Sequence, residues 1–282
     1  MTYVQKTLLA ASLLLGAPFL HAQASESAIT NKLRNLRSLS ATQRPTATVQ
    51  LAADIRSMPA GLPKVKLAYS LANLVTEGDQ GDATVQAVAD VLSQSLAESP
   101  VPAQSDQPPA PYLELANLVR YENVTTTLKD PLFNRANQVL IANEADVQKA
   151  DFTLKDLHGK KVTFSELRGK IVMVNFWATW CGPCRLEMPD LDRIYTRFQS
   201  QGLVVLSISD EDAFKVNSFI APTGYRPPVL IDTGSTVHKQ FHIEGIPKTF
   251  IFNRDGKLIG ETIDQCTGMQ FLKMLSKTDL HN

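Results

Sequence analysis

The hydrophobic pattern of this chain changes period once, at about Ala150, and nothing else in the sequence restricts the fold as much. From Ser25 to about Val147 apolar residues recur at the 3.6-residue spacing of helices. The runs are Ala47–Met58, Pro63–Val75, Ala83–Leu96 and Tyr112–Tyr121, punctuated by Gly61, Gly78, Gly81 and several prolines. After Ala150 short strand-like runs alternate with helices. "DFTLKDLHGKKVTFSEL" reads as a hairpin around Gly159, followed by an apolar strand (Ile171–Trp177), a helix (Cys181–Gln199) and a second apolar strand (Leu203–Ser209). A helix over Glu211–Ile220, a strand near Pro228–Ile231, a helix over Ser235–Phe241, two strands around "NRDGK" (Asn253–Lys257) and a helix over Met269–Leu275 complete it. This order implies an α/β domain over 148–282, with a mixed sheet flanked by helices, preceded by an all-α domain over 25–147.

The helical half echoes itself. "ATVQLAADI" at Ala47 returns as "ATVQAVADV" at Ala83 with six of nine residues identical, and "LANLV" at Leu71 returns at Leu115. The two offsets differ by an insertion that fits the Pro-rich stretch 98–111. Two stacked helical hairpins follow, with either a third, diverged pair in Thr127–Asn143 or a bundle that leans on its neighbour. The half holds no cysteine. It is a scaffold, or a docking module for a partner protein.

Lys6, the apolar run Thr7–Leu20 and Ala22-Gln23-Ala24 have the form of a secretory signal peptide, residues 1–24, cleaved to start the mature chain near Ser25. The run is shorter than the roughly 20 residues of a spanning helix; the alternative is an uncleaved anchor. The expected location is therefore the periplasm or another extracytoplasmic face. Lys plus Arg and Asp plus Glu balance at 28 each, so no bulk charge favours nucleic acid as a partner.

Export sharpens the reading of three cysteines, Cys181, Cys184 and Cys266. A disulfide scaffold would use a larger, even number, and the short loop closed by a CxxC contributes little as a staple. A zinc site would need further ligands. His238 and His242 form an i,i+4 pair on the expected helix, but they lie far from Cys184 in sequence. The redox reading accounts for more residues. A CxxC opening a helix points free backbone N–H groups and the positive dipole end at its first sulfur, favouring thiolate. Cys181 then attacks and Cys184, one turn in, resolves. Gly182 and Pro183 suit the first turn, and Trp180 would wall the site against water. Cys266 is expected to be a buried, inert thiol, with an intermolecular disulfide or a third redox thiol as alternatives.

The order strand, "WCGPC", helix resembles the thioredoxin superfamily over about half the chain, and "CGPCRLEMP" is similar to the exported TlpA/ResA-like thiol–disulfide oxidoreductases. The resemblance implies a thioredoxin-like fold for the C-terminal half. It also implies a cis-proline loop at Ile246-Pro247, facing the CxxC and offering backbone to an extended substrate. The buried acid that thioredoxin carries in the strand before its motif is replaced here by Asn175. Glu187 matches the acid of the ResA-like branch and would relay the proton of Cys184, making Cys181, Cys184 and Glu187 the candidate catalytic residues. Trp180, Gly182, Pro183, Ile246 and Pro247 are the candidate substrate-contacting residues. The implied enzyme is a protein-disulfide reductase with no cofactor beyond its own Cys181–Cys184 disulfide. Its partners would be proteins with disulfides or cysteine pairs, apocytochrome c among them, and a membrane thiol electron donor. A thiol peroxidase of the peroxiredoxin type is the rival enzyme, lacking its P-x-x-x-[ST]-x-x-C pattern here. A helical interaction module with a thioredoxin-like binding platform is the non-enzymatic rival.

Overall fold

The computed structural model describes residues 25–281; the expected signal peptide lies outside the described residues. Six helices come first. α1 (Glu26–Asn35) begins on Ser25, whose hydroxyl accepts from the Ala28 amide. Sequence periodicity missed this helix because it buries only Ile29 and Leu33. α2 (Arg44–Arg56), α3 (Leu62–Val75), α4 (Asp82–Glu98) and α5 (Ala110–Tyr121) carry the echoed segments. Echoed positions take equivalent places: Thr48 and Thr84 are buried, as are Leu71 and Leu115, and Ala72 and Ala116. α6 (Pro131–Lys149) is a single helix, so no third pair forms within 127–143. Pro131 starts it, the Asp130 carboxylate caps it by accepting from Leu132 N, and no glycine or proline interrupts it.

The second half is a seven-stranded sheet in the order β2-β1-β5-β4-β3-β6-β7. Its strands are β1 (Thr153–Asp156), β2 (Lys161–Thr163), β3 (Ile171–Phe176), β4 (Leu203–Ser209), β5 (Val229–Ile231), β6 (Lys248–Phe252) and β7 (Leu258–Glu261). β3, β4 and β5 run parallel, and the remaining pairings are antiparallel. This is the mixed sheet the sequence pattern implies, in the thioredoxin-like form the family resemblance implies. Every residue of β3 is buried, as a strand covered on both faces requires. Strand alternation sends Val172, Val174 and Phe176 into a core with Phe241, Phe250 and Phe252. Ile171 and Met173 go the other way, against α7 (Gly182–Phe198) and α10 (Gly268–Leu275). Asn175 shares that second face.

Two of the later helices are shorter than sequence periodicity indicates. α8 spans Ala213–Ile220 because Asp212 is its N-cap, accepting from the Phe214 and Lys215 amides. α9 spans Thr236–Gln240. His242 therefore lies beyond that helix, with a left-handed φ of 51°, and the expected i,i+4 histidine pair is not presented on one helix face. His238 is instead buried against Phe176, with Nδ1 2.7 Å from Asp232 Oδ2, while His242 Nε2 is 3.3 Å from Asp146.

The halves meet along the segment between β7 and α10. Ile263 packs into the core of the helical half. The Thr76 hydroxyl donates to Asp264 Oδ2 at 2.7 Å, and the Gly78 amide donates to the Gln265 carbonyl at 2.9 Å. Among the described residues no helix is long and apolar enough to cross a membrane.

Candidate active site

The site begins where β3 ends. Trp177 is buried and tilts against Phe219. The next turn is pinned by Glu211, which accepts from the Thr179 amide at 2.5 Å and from its hydroxyl at 2.9 Å. Cys181 then sits at the N-cap of α7 with its Sγ accepting from the Cys184 amide at 3.1 Å. A sulfur in the place usually taken by a capping oxygen receives both a direct N–H bond and the positive end of the helix dipole. Cys181 and Cys184 are joined as a disulfide, and both are buried.

The expected cis peptide is present between Ile246 and Pro247. It faces the motif across the site: the Ile246 carbonyl oxygen is 3.7 Å from Cys181 Sγ. Pro247 is buried and Ile246 half-buried. Gly182 is exposed and Pro183 half-buried in the first turn of α7. Trp180 departs from expectation. It is 68% exposed, standing on the surface beside the disulfide rather than closing it off, and the buried aromatic of this turn is Trp177. The turn held by Glu211 leaves Trp180 outside while Trp177 continues the buried strand.

Glu187, one turn beyond Cys184 on α7, is 1% exposed. Its Oε1 accepts from the Asn175 amide at 2.9 Å and its Oε2 from the Cys266 backbone N–H at 2.8 Å. Burial outweighs these two bonds and pushes the carboxyl up to about 8, with Asp190 and Asp264 adding like charge. The same Asn175 amide donates to Thr249 Oγ1 at 3.0 Å, and Thr249 stands directly across the ladder from Asn175. Sequence reading did not include Asn175, Thr249 or the Cys266 amide in the site. Asn175 was the discoverable one, a lone amide inside the otherwise apolar "IVMVNF". Cys266 is a free, buried thiol, raised well above its ordinary pKa by burial and by nearby carboxylates, Glu187 first.

A helix-capping disulfide opposite a cis proline, with an acid held one turn behind it, is an arrangement for passing two electrons between sulfur pairs. Known proteins resemble this half of the chain. Residues 146–260 match the family model described as AhpC/TSA family. The thiol-disulfide oxidoreductase ResA of Bacillus cereus is 32% identical over 152 residues, covering 54% of this chain and 86% of that protein. ResA of Bacillus subtilis is 35% identical over 127 residues, 44% of this chain and 71% of that one. Among solved structures, a thioredoxin-family thiol:disulfide interchange protein from Chlorobium tepidum aligns with a TM-score of 0.42 at 28% identity, covering 45% of this chain and 92% of that one. The identity to ResA across most of that protein's length, together with the intact Cys181–Cys184 pair, places this chain in the ResA family of thiol–disulfide oxidoreductases.

Proposed function

We propose that this protein is an exported reductant of protein disulfides. The observation that carries the reading is the capping of Cys181 Sγ by the Cys184 amide opposite the Ile246–Pro247 backbone. In the reduced protein Cys181, as thiolate, attacks one sulfur of a substrate disulfide. A mixed disulfide forms, the substrate S–S bond breaks, and the other substrate sulfur leaves as a thiolate that takes a proton. Cys184 then attacks Cys181 Sγ. The Cys181–Cys184 bond forms, the mixed disulfide breaks, and two electrons have moved to the substrate.

Glu187 handles the accompanying proton. As a carboxylate it accepts from the Cys184 thiol when that sulfur must attack. As an acid it returns the proton when a donor dithiol reopens the disulfide. A carboxyl poised at about 8 changes charge near neutral pH, where an ordinary exposed glutamate does not. Trp180, exposed beside the disulfide, offers apolar contact to an extended substrate, and the backbone near Ile246 offers hydrogen bonds to it. The Gly-Pro between the cysteines matches thioredoxin, a strong reductant. Cysteine pairs of apocytochrome c are one candidate substrate class, and a membrane dithiol donor would restore the reduced state. Export is supported by Lys6, the apolar run and Ala22-Gln23-Ala24.

The test is reduction of insulin disulfides by the full chain, with peroxide consumption as a parallel assay. Cys181→Ser abolishes reduction, and Cys184→Ala accumulates mixed disulfides on Cys181 that identify the natural substrates in cells. Full reductase activity in both variants, or turnover of peroxide alone, overturns the reading.

A further inference from the structure

We propose that the helical half is a positioning element for the redox site, aiming the Cys266 amide at Glu187 through Thr76 and Gly78. This rests on the reading of Glu187 as the proton carrier and adds what holds that carboxyl in place.

The peptide group between Gln265 and Cys266 is shared by the two halves. Its carbonyl oxygen accepts from the Gly78 amide at 2.9 Å, and its N–H donates to Glu187 Oε2 at 2.8 Å. The group is planar, so a contact at one end sets the direction of the other. The bond at the oxygen also polarises the N–H and strengthens it as a donor. Gly78 reaches the carbonyl with a left-handed φ of 75°, which glycine adopts without steric cost.

The neighbours on either side hold the same segment. Asp264 Oδ2 accepts from the Thr76 hydroxyl at 2.7 Å, and Ile263 is packed in the helical core. Thr262 bonds Thr249 twice: its N–H donates to the Thr249 carbonyl and its hydroxyl oxygen accepts from the Thr249 amide, each at 2.9 Å. Thr249 in turn receives Asn175, the donor to the other oxygen of Glu187. On the far side Thr267 opens α10 through a capping box with Gln270, and the Gly268 amide donates to Asp190 Oδ2 at 2.9 Å. Both oxygens of Glu187 thus trace to one segment, 262–266, whose middle is fastened to the helical half. The charged and titratable groups facing Glu187 are Asp190 on its own helix, Asp264 and Cys266 on the segment, and Tyr225 beyond α8.

The experiment is a carbon-13 carboxyl titration of the oxidised full chain, with the Glu187 resonance identified by its loss in Glu187→Gln. Thr76→Val removes the hydroxyl donor without changing charge. The Cys266 amide then points less well at Glu187, the carboxylate loses part of its stabilisation, and its midpoint rises by about half a pH unit or more. Gly78→Ala, strained at its φ, moves it the same way, and Thr76→Ser restores the original midpoint. Asp264→Asn keeps an acceptor for Thr76 but removes a negative charge, so it lowers the midpoint, separating charge from placement by sign. An elevated Glu187 midpoint that is identical in the original chain, Thr76→Val and Gly78→Ala overturns the positioning role alone. A Glu187 midpoint in the ordinary carboxylate range overturns the proton-carrier reading as well.

Discussion

Asn175 on strand β3 and Glu187 on helix α7 meet side chain to side chain at 2.9 Å, both almost fully buried. Asn175 gives its amide to Glu187 and to Thr249 at once, so Asn175→Ala leaves two buried acceptors short of a donor. The expected loss is about 1–3 kcal/mol in urea denaturation of the oxidised chain. A change within the roughly 0.5 kcal/mol typical of surface sites would show that the pair does not hold the site together.

Stability should fall as pH rises through neutrality. The folded Glu187 is pushed up to about 8, against about 4.3 for an ordinary glutamate. Between those values the folded chain binds a proton that the unfolded chain has released, so stability is full below the lower value and is lost toward the upper one. Glu114 and Glu122, pushed up to about 7 by burial, act in the same direction. The acids held low by ion pairs, Glu98 and Asp192 among them, matter only below about pH 4. Denaturation midpoints at pH 5 should exceed those at pH 8.5, with Glu187 contributing on the order of a few kcal/mol. Glu187→Gln should flatten the slope; an unaltered slope would locate the dependence elsewhere.

Cys266 should be inert in the folded protein. It is 8% exposed and its thiol is raised well above the usual cysteine range, leaving little thiolate to react. Brief alkylation of the reduced native chain near pH 7, read by mass spectrometry, should label Cys181 and spare Cys266. Equal labelling of the two would contradict the raised Cys266 thiol.

Trp180→Ala should raise KM for protein substrates several-fold and leave stability within about 0.5 kcal/mol, as for an exposed side chain with no buried partner. Steady-state kinetics with insulin beside thermal denaturation checks both halves. An unchanged KM would remove Trp180 from the substrate surface.

Local signals carried much of this molecule. The period change at Ala150 and the helix opening at Cys181 depend on residues close in sequence and lie where the pattern implies, and the cis Ile246–Pro247 peptide is the one the family resemblance implies. Glu187 was readable as an acid one turn from Cys184. Its burial was less readable, because its partners come from Asn175 on a strand before it and Cys266 far after it. Contacts of that kind depend on strand order and on a crossover, which spacing does not encode. Trp180 shows the converse. Two tryptophans three residues apart look alike in sequence, and only the turn fixed by Glu211 decides that Trp177 goes in and Trp180 stays out. α1 was missed for a simpler reason, its apolar content being too low to show a period.

The contact between Cys266 and Glu187 is made by main chain. Position 266 can therefore drift among side chains of suitable size while the acid keeps its donor, and a cysteine there is no requirement. Proline is the exception, since it has no N–H to give. A carboxyl tethered in this way leaves almost no trace in residue identity at its tether, so descendants of this chain could exchange the residue within those limits and retain the bond.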